Sequence, residues 1–205
     1  MNMEKSITTQ VDANKFLEMW KSFNELAQES GIVKTALQKY EKGNSNWLNY
    51  LLYANNYQVI GQTLLVHCLR EKLDIAATDY FSNFDLTGYA LEPEQEYHDE
   101  EAGVVRQALD DVDVLQFARV HDTAELKRVL PKLMKSEGVL KILILPVLEE
   151  AEQEQYKEIL GQKLSKVAVS AQEEYLALFP MVKDEQVKWH YIVYGGGHFA
   201  IDTCL

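Results

Sequence analysis

A chain of 205 residues, 47% hydrophobic and 25% charged, can bury a substantial core without metal or disulfide staples, and its composition excludes extensive disorder. Its formal net charge of -12 opposes contact with phosphate backbones, so nucleic acid is not an expected partner. The two cysteines, Cys68 and Cys204, lie far apart with no C-x-x-C, which points to reduced thiols rather than a disulfide framework.

Residues 1–10 read as a mobile tail without the apolar stretch of a secretory signal, so a cytoplasmic location is expected. Asp12 is a suitable N-cap, and Phe16, Met19, Trp20, Phe23 and Ala27 recur at helical spacing, which predicts an amphipathic helix stopping near Gly31. A second helix is predicted from Ile32 to Lys42, with Gly43 as its stop. From Ser45 to Asp74 the spacing predicts a helical hairpin bent at Asn55-Asn56-Tyr57, with Cys68 in an apolar stripe as a buried thiol. Tyr50, Tyr53 and Tyr57 share one face there and read as core packing before they read as a binding stripe.

Residues 74–105 hold nine acidic residues and no Lys or Arg, punctuated by Gly88, Pro93 and Gly103. The segment reads as a long loop or decorated crossover, apolar enough at Phe81, Phe84, Leu86 and Tyr89 to pack in part on the body, with residues 92–101 exposed. Glu94, Glu96, Asp99, Glu100 and Glu101 are the candidate residues for binding a basic partner protein. They lack the D-x-[DN]-x-[DN]-G order of a calcium loop, so no metal is expected.

Beyond Val104 strand-like and helix-like segments alternate. A strand is predicted over Val112–Val120, a helix over Asp122–Glu137 opened by the capping box Asp122-Thr-Ala-Glu125, and a strand over Val139–Leu145. That last run is almost wholly apolar, the mark of a strand covered on both faces, and it is too short to span a bilayer. A helix over Glu149–Lys163, a third strand over Lys166–Ser170 and a short helix over Ala171–Phe179, ended by Pro180, complete the series. This β-α-β-α-β order predicts parallel neighbours joined by right-handed crossovers. His121 follows the first of these strands, where open α/β sheets place ligand crevices, and is a candidate catalytic residue.

Val187–Tyr194 and His198–Leu205 alternate with the period of strands, and Gly195, Gly196 and Gly197 supply the reversal between them. With all three glycines in the loop, Tyr194 faces His198 and His190 faces Asp202. Trp189, Tyr191, Val193, Phe199 and Ile201 then share a core face, while His190, Ile192, Tyr194, His198, Asp202 and Cys204 share a polar one. A carboxylate opposite an imidazole sets its tautomer and basicity, which makes His190 and Asp202 candidate catalytic residues with His198 nearby. The plainer reading is a cross-strand charge pair on a solvated sheet face.

The fold class expected is α+β. A helical segment (1–73) and an acidic connecting segment (74–104) precede an α/β sheet region (105–205), packed as one compact unit. The sheet is mixed, carries crossover helices and is closed by a C-terminal antiparallel hairpin. Phosphate-loop, dinucleotide, nucleophile-elbow and H-E-x-x-H patterns are all missing, so no cofactor is expected. The preferred functional reading is a cytoplasmic protein of bacterial type that binds a basic partner through its acidic surface, as toxin-neutralising immunity proteins do. The glycine-rich tail from Gly195 towards Asp202 resembles, over one short stretch, that of the SUKH immunity superfamily, and no residue role follows from it. The alternative is a small hydrolase or transferase whose site at the sheet edge uses His121 or the pair His190 and Asp202.

Overall fold

The computed structural model of the protein describes residues 11–40, 47–48, 51, 55–78, 85–99, 103–166, 173–195, 198–199 and 203–204. The expectations for residues 1–10, for the stop at Gly43, for all but Lys166 of the strand over Lys166–Ser170 and for Asp202 lie outside the described residues.

Helix α1 (Ala13–Glu29) starts where the sequence places its cap: Asp12 accepts a hydrogen bond from the Lys15 N–H at 2.8 Å. A second N–H of that first turn, from Ala13, donates to Glu174 at 2.6 Å across a large sequence distance, which ties the helix start to the sheet. The predicted stripe Phe16, Met19, Trp20, Phe23 and Ala27 is buried, and Gly31 at φ 76 turns the chain into α2 (Ile32–Gln38). Helix α2 is shorter than predicted, leaving helical geometry at Lys39. Asn55-Asn56-Tyr57, read as a bend, instead opens α3 (Asn55–Leu73).

The segment read as a loop is mostly strand. β1 (Ile75–Thr78) pairs antiparallel with β2 (Leu86–Asp99), and β2 pairs antiparallel with β3 (Gly103–Arg119). Leu86, Thr87, Gly88 and Ala90 are all buried, so this strand lacks the alternation that would have announced it. A Cβ at Gly88 would stand 2.7 Å from Ile75 Cγ2 and 3.2 Å from Leu115 Cβ, which explains a glycine inside a paired strand.

After β3 the chain forms α4 (Thr123–Leu133), β4 (Leu140–Ile144), α5 (Glu150–Leu164), β5 (Glu174–Lys183), β6 (Gln186–Gly195), β7 (His198–Phe199) and β8 (Thr203–Cys204). The sheet order is β1-β2-β3-β4-β5-β6-β7, with β8 also on β6. β3, β4 and β5 are parallel neighbours, and the other pairings are antiparallel. The fold is therefore α+β, with leading helices, a mixed sheet and an antiparallel C-terminal hairpin.

Helices cover both faces. Leu140, Ile142 and Ile144 join Leu115, Phe117, Leu176 and Leu178 in a core with α1, α2 and α3, while Leu143 and Leu145 pack with α4 and α5 on the other side. Trp20 anchors the first core, with ring centroids 5.0 Å from Trp189, 5.0 Å from Phe23 and 5.7 Å from Phe16.

Two expectations near the C-terminus are corrected. The helix expected over Ala171–Phe179 is replaced by β5, because Tyr175 to Phe179 are buried on both faces and a continuous apolar run carries no period. Pro180 lies inside this strand. Its carbonyl accepts from the Val147 N–H past the end of β4, and its missing N–H would point the same way, so no ladder bond is lost. The terminal reversal is tighter than predicted: Gly195 pairs with His198 and Tyr194 with Phe199, and further along His190 pairs with Cys204 and Tyr191 with Thr203. His190 therefore stands opposite Cys204 and not Asp202. Trp189, Tyr191 and Val193 do face the first core, but the face expected to be solvated packs under α5 through Ile192 and Tyr194.

Candidate functional site

The β5–β6 hairpin turns through Asp184 and Glu185, so that Met181 pairs with Lys188 and Phe179 with His190. Alternation then places Lys183 and Met181 of β5 and Lys188 and His190 of β6 on the face beneath α5. With Glu150, Gln153, Glu154 and Lys157 of α5 they line a cavity of about 540 Å³. It opens at the C-terminal end of β5 and the first turns of α5, and His190 is partly buried in its wall.

His121 is exposed, at the end of β3. The capping box predicted around it is present: Glu125 N–H donates to Asp122 at 2.7 Å, and Glu125 accepts from the His121 N–H at 2.9 Å. Strands β4 and β5 separate His121 from the strand of His190, a gap of roughly 14 Å at ordinary strand spacing. His198 pairs with Gly195, five residues along β6 from His190. The three histidines thus occupy three separate positions on the sheet, and Asp202 lies outside the described residues.

Among the acidic candidates, Glu94, Glu96 and Asp99 fall within β2, while Glu100 and Glu101 lie outside the described residues. The register around them is informative. β1 pairs with β2 only over residues 87–90, and β4 pairs with β3 only over residues 115–119. From Leu91 to Asp99 and from Gly103 to Asp113 the two strands pair with each other and with no other described strand. They form a two-stranded arm of roughly 20 Å beyond the body of the sheet. Residues 92–95 bulge from β2 opposite one residue of β3, and 109–112 bulge from β3 opposite one residue of β2. Glu92 and Glu94 lie in the first bulge, Asp110 and Asp111 in the second.

A polar cluster not anticipated from the sequence lies under the sheet's α4–α5 face. Lys141 of β4 is fully buried, its Nζ 2.9 Å from Glu173 Oε2 and 3.4 Å from the Tyr175 hydroxyl, which itself donates to Glu173 at 3.3 Å. Burial and then the Glu173 carboxylate push the Tyr175 phenol well above its ordinary range. The sequence signal was one lysine inside an apolar strand. The cluster is closed on itself and pairs its own charges, so it reads as structure rather than chemistry. Cys68 is buried, and burial raises its thiol pKa.

Among the described residues no helix is long and apolar enough to cross a membrane, and no group of three or more His, Cys, Asp or Glu side chains is placed to hold a metal ion. A larger groove of about 870 Å³ runs between α2 and the β5–β6 turn, edged by Val33, Leu37, Tyr40, Val182 and Val187. Compared with known proteins, the chain matches no protein-family model and no curated sequence.

Proposed function

We propose that this protein is an interaction protein that offers the β2–β3 arm to a basic partner protein, in the manner of proteins that neutralise a cationic target. The observation that carries this reading is the pairing register, which leaves residues 91–99 and 103–113 paired with each other and with no other described strand. An isolated two-stranded ribbon is marginally stable in water, so a ribbon this long gains from a partner that pairs with or packs on it. Its chemistry gives the partner's sign: residues 91–99 and 103–113 hold seven acids against one base, Arg106, in a chain of net charge -12. Such a surface steers a basic protein towards encounter.

The test is retention of partners from a lysate of the source cell on the immobilised full chain, at low and at high salt. The same is done with the charge-reversed variant Glu94→Lys, Glu96→Lys, Asp99→Lys. A basic protein held at low salt, released at high salt and not held by the variant supports the reading. Retention indifferent to salt or to the reversal would sink it. The hydrolase or transferase reading needs its histidines around one cavity, and the separation of His121, His190 and His198 gives it no support.

A further inference from the structure

The cavity beneath α5 inverts the charge of the molecule around it. Lys157, Lys183, Lys188 and His190 converge on it against Glu150 and Glu154. Of those two acids, Glu154 is taken by Lys157 at 2.7 Å. The ion pairs among the described residues include none to Lys183 or Lys188. In the β5–β6 register Lys188 stands opposite Met181, two residues from Lys183 on the same face, so the two ammonium groups are diagonal neighbours of like charge. Like charges so placed repel, and an anion between them removes the repulsion.

From this we infer that the cavity binds a small molecule through a multiply charged anionic group, a phosphate or a polycarboxylate, held by Lys183 and Lys188 with His190 beside it. The volume of about 540 Å³ suits a small ligand and not a protein surface. Its position, outside the carboxyl end of a parallel strand and at the start of a helix, is where α/β sheets bind ligands. The backbone of the first turn of α5 carries partial positive charge, offset by the Glu150 and Glu152 carboxylates of the same turn. Asp12 caps α1 and Asp122 caps α4 with their carboxylates, whereas Glu149 makes no side-chain cap on α5. This inference stands on different residues from the arm and is independent of the partner-binding reading.

The test is a backbone amide NMR titration of the full chain with sodium phosphate, sodium citrate and, as an ionic-strength control, sodium chloride. Saturable shifts at Lys183, Lys188, His190 and the first turn of α5 with phosphate or citrate, but not chloride, are expected. The anion that saturates tells phosphate chemistry from carboxylate chemistry. Lys188→Glu and, separately, Lys183→Glu should each weaken binding by about tenfold or more, while Lys127→Glu on the exposed face of α4 leaves it unchanged. Linear shifts common to all three salts, or saturation that survives both cavity substitutions in folded protein, would overturn the inference.

Discussion

Lys141 has no exposed surface, yet its partner Glu173 keeps 32% of its side chain exposed. The two halves of this ion pair therefore respond differently to loss of the other. Glu173→Ala leaves an ammonium buried with no counter-charge and is expected to cost about 3–5 kcal/mol. Lys141→Met leaves a carboxylate that water can reach and fills the strand with apolar volume, so its expected cost is under about 1.5 kcal/mol. Urea denaturation of the two variants checks the asymmetry, and equal losses would refute it. The same residues show why sequence reading reached only part of the site. His190 was legible from strand alternation, but Lys183 and Lys188 became its neighbours through the β5–β6 pairing, and Lys157 through a helix docked from elsewhere.

The elements report their own strains. Hairpin β5–β6 reverses in two residues, Asp184 at φ 53 and Glu185 at φ 60, both left-handed. Such a turn favours glycine at its second position, because a Cβ there crowds the backbone. Glu185→Gly is expected to stabilise the chain by about 0.5–1 kcal/mol and Glu185→Val to destabilise it, as measured by thermal or urea unfolding. Helices α1 and α4 were legible because their caps and apolar stripes are local. Strands β2, over residues 86–90, and β5 were not, since burial on both faces erased the alternation, and β1 is too short to show a period.

Across the molecule, two phenols are enclosed between α5 and the sheet. Tyr156 is raised by burial, then by Glu152, Asp122 and Glu125, and Tyr175 by burial, then by Glu173. The folded chain holds both protons more tightly than the unfolded chain does. Below about pH 10 the phenols are neutral in either state and contribute no pH dependence. Above it the unfolded chain ionises first and stability falls. The melting temperature is expected to drop above about pH 10, and Tyr156→Phe with Tyr175→Phe to flatten that drop. A profile unchanged in the double variant would count against enclosure of these groups.

Composition, charge and local periodicity determined the α+β class, the first helix with its cap and stripe, the capping box after His121 and the doubly covered strand through Ile142. All of these follow from interactions within a few residues of chain. Which residues face one another was decided by tertiary pairing. A register slip of one residue at the reversal and of two further along moved His190 from Asp202 to Cys204, a helix laid over the second face of β6 turned a solvated surface into a cavity wall, and two strands running past their neighbours carried part of the acidic segment out on an arm. Register is a global property, set by every strand's partners at once, so no local pattern encodes it.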